Sequence, residues 1–198
     1  MGQMHIEWQK TLNAGFAARL VISATLLICF LNPYAESLDY INAAVFMFSH
    51  YALFVAGFLI SYRMAKLPKW VLIPVCTVSV FWHLPVPFVL SGSIPIYRLF
   101  EELSLFAAGL LAGPVMGSLS SKAKSALLGL WVIADTGLSI IFLVMPGVYA
   151  FPEMPISRYP AFQFQITGIA MIFFMNAVIA LVAYMHVKRI GMMHRADK

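Results

Sequence analysis

Charge is what this sequence has least of. Only 11% of its 198 residues are Asp, Glu, Lys or Arg, against about a quarter in an ordinary soluble domain. Apolar residues make up 62% and the mean hydropathy is +0.87. So few charges cannot cover a globule that apolar, which excludes a water-soluble fold. Cysteine is nearly absent too: two residues and no CxxC pair, which excludes a disulfide scaffold and a thiolate zinc site. There is no Gly-rich phosphate loop, no HExxH, no His-x3-His pair and no Ser/His/Asp order, so an enzyme is not expected. The net charge of +5 does not point to nucleic acid. Cytoplasmic loops of membrane proteins collect Lys and Arg and give the same balance.

What is present are long apolar runs. A bilayer-spanning helix needs about 20 of them in sequence, and six stretches qualify: Ala14–Leu31, Ile41–Ser61, Trp70–Leu90, Leu99–Leu119, Ser125–Met145 and Gln165–Val187. The expected fold is all-α, a polytopic membrane protein with six transmembrane helices in one bundle, forming a single integral membrane domain over 1–198. The first run is too long for the apolar core of a cleavable signal peptide. With both termini cytoplasmic, eleven basic residues fall inside: Lys10, Arg19, Arg63, Lys66, Lys69, Lys122, Lys124, Lys188, Arg189, Arg195 and Lys198. Only Arg98 and Arg158 fall outside, with Glu36, Asp39 and Glu153. That asymmetry sets the orientation, and the expected location is the plasma membrane.

Ionisable groups inside a span are costly, and each is a candidate for function. Counting a rise of about 1.5 Å per residue, His50 lies roughly 14 Å and His83 roughly 10 Å below the outer face. Glu101 and Glu102 lie within a turn of the outer end of the fourth span. Asp135 sits near the middle of the fifth, and Gln165 opens the sixth on the same side. Five helices thus bring polar groups to the outer half of the bilayer.

Plainer readings stand beside these. A buried histidine can simply bond a neighbouring helix, and His83, in Trp82-His83-Leu84-Pro85-Val86-Pro87, can bond a carbonyl freed by the prolines. Pro85 also predicts a break in the third span near Leu84–Pro87. Glu102 follows Arg98 by four residues, the spacing of a helical ion pair, which predicts a pair at the rim. Asp135 is either protonated or partnered across helices. Arg19 reaches the inner boundary. Met171, Met175, Met185, Met192 and Met193 suit Cu(I) by type, but methionines in apolar spans mostly pack.

The order of these marks resembles the caa3-type cytochrome c oxidase assembly factor (CtaG-like) family, especially its shorter archaeal-type relatives. The stretches FMFSHYALFVAGF, WHLP, RLFEELSLFAAGLLAGPVM and FQFQITGIAMIF carry the resemblance, over residues 40–187. His50 matches the second histidine of the family's first motif, and Trp82 to Pro85 match its WHLP. Glu101 matches the glutamate of the third motif, and Gln165, Gly168 and Met171 match the fourth. Phe46, Arg98 and Glu102 stand where the family has histidines, and Gln163 where it has an aspartate.

The resemblance implies a membrane factor for building a copper-containing haem-copper oxidase, handling copper on the outer side. In that reading His50, His83 and Glu101 are the metal residues, and Gln165, Asp135, Glu102 and Arg98 form the polar network around them. Two alternatives stay open. One is an integral accessory subunit of a terminal oxidase or other membrane oxidoreductase, without its own metal. The other is a b-type haem protein ligated by His50 and His83. The partners expected are the bilayer and other membrane subunits.

Overall fold

The computed structural model describes residues 2–150 and 158–196, with side chains for 14–150 and, apart from 186, for 158–188. Glu153, and the side chains of Lys10, Arg189, Met192, Met193, Arg195 and Lys198, lie outside what is described. Every regular element among the described residues is helical: α1 (Gly2–Phe30), α2 (Pro33–Asp39), α3 (Ala43–Ser61), a 3-10 turn (Lys69–Val71), α4 (Leu72–Trp82), α5 (Pro85–Ser93), α6 (Pro95–Ser118), α7 (Ser121–Val144), α8 (Gly147–Ala150) and α9 (Ala161–Ala196). Four of them, α3, α6, α7 and α9 as far as Met185, are long and apolar enough to cross a bilayer. Two bent pairs, α1 from Ala14 with α2 and the 3-10 turn and α4 with α5, also pass when each is taken as one segment. The chain is therefore a helical membrane protein with four to six candidate spans.

Local chemistry explains both bends. The Asn32 side chain accepts from the backbone N–H of Tyr34 and Ala35, which starts α2. Its amide meanwhile donates to the carbonyls of Ile28 and Cys29 at 2.9 Å, which closes α1. One residue caps both ends, and Pro33 keeps the second helix from continuing the first. The axes differ by 61°. In the third segment the last turn of α4 tightens: the His83 and Leu84 N–H groups bond Val80 and Phe81, three residues back. Leu84 is then extended and Pro85 opens α5, as prolines at first helical positions do. The resulting bend is 71°, where the prolines predict it.

Close contacts fix how the helices run. A Cβ added to Gly57 would collide with the Phe106 carbonyl oxygen, one on Gly109 with that of Phe54, and one on Gly113 with Ser61. The pairs rise together, so α3 and α6 are parallel, and the bare backbones allow an approach that no side chain permits. Trp82 on Ser104, with Val75 against Ala108 and Ala112, sets α4 antiparallel to α6. The Ser23 hydroxyl on the Ala56 carbonyl and the Arg19 guanidinium over the Tyr62 ring set α1 antiparallel to α3. Thr136 on Met175 and Gly168 on Ser139 do the same for α7 and α9. The Phe48 and Tyr51 rings on Phe174, with Gln163 beside Ala43, make α9 parallel to α3. Six long segments alternate in direction.

Candidate functional site

His50 enters the bundle from the middle of α3 and is 3% exposed. Its Nδ1 lies 2.6 Å from the Phe46 carbonyl oxygen one turn back. A carbonyl only accepts, so Nδ1 carries the proton and, in the neutral ring, Nε2 keeps its lone pair. That Nε2 is in direct contact with the carboxylate of Glu101, itself 1% exposed on α6. The parallel α3–α6 seam, two turns below, sets this contact.

His83 reaches the same place from the break in α4. Because the His83 N–H bonds Val80, the Ser79 carbonyl is released, and His83 Nδ1 takes it at 2.5 Å. The tautomer is again fixed with Nε2 free. The two imidazole centroids lie 5.5 Å apart. Trp82 pins the break to α6 through Ser104 at 2.7 Å. The Tyr149 hydroxyl in α8 donates to the His83 carbonyl at 2.6 Å; burial pushes its phenol up to about 12, which keeps it a donor at neutral pH. The WHLP stretch therefore works as a unit: an anchor, a ligand-type imidazole, an extended residue and a new helix start.

Arg98, one turn before Glu101, is 4% exposed. Its guanidinium lies 4.0 Å from the Tyr40 ring centroid and 4.8 Å from that of Phe46. It donates to the carbonyls of Ser91 and Glu36 at 3.3 Å and stands 3.7 Å from an Asp39 oxygen. Phe46 in turn meets His50 edge-on at 4.4 Å, so this ring separates Arg98 from the imidazole. The Tyr159 hydroxyl bonds the Asp39 carbonyl, and burial holds that phenol well above its usual range.

The rim pair expected between Arg98 and Glu102 is corrected here: the partner of Arg98 is Asp39. Two aromatic faces and two carbonyls draw the guanidinium inward, and Glu102 is left half-buried on the neighbouring face. Asp135 does not join the histidines either. It accepts from the Tyr51 hydroxyl at 2.5 Å, on the side of α3 that faces α7, because Tyr51 points about 100° away from His50. Gln165 is exposed and reaches only the Leu143 carbonyl at 3.5 Å. Its neighbour Gln163 does more: it accepts from Ala43 N–H at 2.9 Å and donates to the Ile41 carbonyl at 2.8 Å. Polarity alone did not separate the two glutamines.

Chemically, one lone-pair imidazole nitrogen meets a carboxylate in an apolar shell, with a second imidazole 5.5 Å from the first, ring centre to ring centre. Of the buried charges beside the histidines, Arg98 is positive while Asp39 and Glu101 are negative as carboxylates, so this cluster, from which Asp135 stands apart, is one positive charge short. A proton between Glu101 and His50, or one monovalent cation, supplies it. Among the described residues no three His, Cys, Asp or Glu side chains close as a metal-binding group. An ion here would be low-coordinate. A bis-histidine haem fits poorly, because Glu101 occupies the Nε2 position of His50 and Phe88 stacks on its ring at 5.9 Å.

A family model described as a protein of unknown function (DUF1404) matches residues 21–189. No curated protein and no solved structure matches the chain.

Proposed function

We propose that this chain, which belongs to the DUF1404 family, is a six-span accessory or assembly factor of a copper-containing respiratory oxidase. In this reading it handles a monovalent copper ion at His50, Glu101 and His83. The observation that carries the cation-handling part is the fixed tautomer of both histidines: each Nδ1–H is held by a backbone carbonyl, the arrangement found behind metal-binding imidazoles. The oxidase part rests on the motif resemblance. Copper in its lower oxidation state accepts few ligands and suits imidazole, and its single charge matches the shortfall in the cluster of Arg98, Asp39 and Glu101.

The alternation of six segments supports six spans, with α4–α5 as a broken crossing. Were it a re-entrant loop, α6 would run against α3 rather than with it. The Lys and Arg count supports cytoplasmic termini in the plasma membrane, with the site in the outer half. Arg98, Glu101 and His50 do no bond-making chemistry in this reading. Arg98 offsets acidic charge, Glu101 accepts, and the imidazoles offer lone pairs.

Purified protein in lipid nanodiscs, loaded with Cu(I) under reducing conditions against a competing chelator, should retain one copper per chain. His50→Ala and Glu101→Gln should lose it, and His83→Ala should weaken it. Copper no higher than in the His50→Ala control would overturn the copper reading. One specific observation favours a second role, the metal-free accessory subunit: Glu101 and His50 already close on each other and need only a shared proton. Co-purification with oxidase subunits and no copper would select it.

A further inference from the structure

The lipid-facing side of α9 carries a polar residue where none is expected. Phe162, Ile166, Ile169, Phe173, Asn176 and Ala180 follow one another at alternating spacings of four and three, and all are exposed among the described residues. That spacing is the seam of a left-handed helix pair. The apolar stretch of α9 runs from Ala161 to Met185, so Asn176 lies about 5 Å from its middle, deep in hydrocarbon. Its amide donates once, back to the Ile172 carbonyl at 2.8 Å. That leaves the side-chain oxygen and a second N–H without a partner in a medium that offers none.

We propose that this face of α9 is the contact between two copies of the chain, related by a two-fold axis along the membrane normal. The choice of a second copy follows from the amide and from topology. A carboxamide is donor and acceptor at once, and therefore complementary to itself. Copies inserted in one orientation meet with α9 parallel to α9, which brings Asn176 to its own counterpart at the same depth. A single asparagine at the inward position of such a seam fixes register and favours two strands. The buried face of α9, with Phe164, Thr167, Met171 and Met175, is committed to the chain's own bundle, so the pairing leaves the fold unchanged. The inference rests on the membrane reading alone and is independent of copper.

The test is oligomeric state in liposomes, read by single-molecule photobleaching across a dilution series. The wild type should be dimeric. Asn176→Val should weaken dimerisation about tenfold, the scale of one or two interhelical polar contacts, while keeping thermal stability. Asn176→Gln should retain most of it. Thr77→Val removes an exposed hydroxyl that likewise bonds one turn back, to Ile73, and should change nothing. A wild type that is monomeric at all dilutions overturns the proposal and assigns the face to lipid or to a different membrane protein. Equal dimerisation in wild type and Asn176→Val overturns it as well.

Discussion

Gly109→Val should destabilise the protein by about 3 kcal/mol and should open the His50–Glu101 contact although it touches neither residue. A Cβ at this position collides with the Phe54 carbonyl oxygen and comes within 3.0 Å of the Phe54 carbonyl carbon. Backbone on both sides leaves nothing flexible to yield. Relief requires α3 and α6 to separate, and His50 and Glu101 sit on that seam two turns away. Unfolding in bilayers by steric trapping reads the stability. Deuterium exchange at the C2 position of the His50 ring reads the opening, because exchange there requires water at the imidazole. Gly137→Val on α7, where an added Cβ meets nothing within 4 Å, should leave both readouts near wild type. Equal effects at the two glycines would show that the parallel α3–α6 contact is not what holds the site.

Arg98→Met should cost about 3–5 kcal/mol, the range for removing one partner of a buried charge pair. The loss leaves Asp39 without its cation, removes the side-chain donor to the Ser91 carbonyl, and leaves the Glu36 carbonyl with only the Tyr40 N–H. Methionine keeps part of the packing between the Tyr40 and Phe46 rings, so most of the loss is electrostatic. Adding Asp39→Asn should recover part of it, because the orphaned carboxylate is then gone. A double-mutant cycle measures the coupling. Strict additivity of the two changes would contradict the pairing, and an Arg98–Glu102 cycle should show much less coupling than the Arg98–Asp39 one.

Much of this structure is legible in the chain because lipid imposes a simple rule. Each span must be long and apolar, so hydropathy locates α3, α6, α7 and α9, and Pro85 locates the break in the third segment. Depth counting likewise selects His50, His83 and Glu101; the fold puts His50 against Glu101 and the His83 ring 5.5 Å from that of His50. What counting cannot supply is azimuth. Tyr51 follows His50 by one residue, and that single step sends the Tyr51–Asp135 bond to the far side of α3. The same lack of azimuth hides the partner of Arg98. Glu102 has the right spacing along the helix, but Asp39 arrives from a helix turned through 61° by Asn32 and Pro33, and nothing in a depth profile encodes that turn. Gln163 and Gln165 differ by two residues and by about 200°, which decides between clamping the start of α3 and facing outward.

The release of the Ser79 carbonyl has a similar origin. Prolines foretell that carbonyls are freed, but only the switch to three-residue bonding at Val80 and Phe81 determines which. That detail fixes the His83 tautomer, and with it the identity of the nitrogen left to bind.

The central claim is that two neighbouring imidazoles each hold their proton on Nδ1, which leaves the His50 Nε2 facing the Glu101 carboxylate and the His83 Nε2 unprotonated. Nitrogen-15 NMR of histidine-labelled protein in lipid tests it directly, because protonated and unprotonated ring nitrogens have well-separated shifts. With resonances assigned through His50→Ala and His83→Ala, both rings should show a protonated Nδ1. His83 should show a bare Nε2, and the His50 Nε2 should be shifted by a proton shared with Glu101. Glu101→Gln should remove that shift. If either ring carries its proton on Nε2 with Nδ1 bare, the geometry is wrong and the cation-handling reading falls with it.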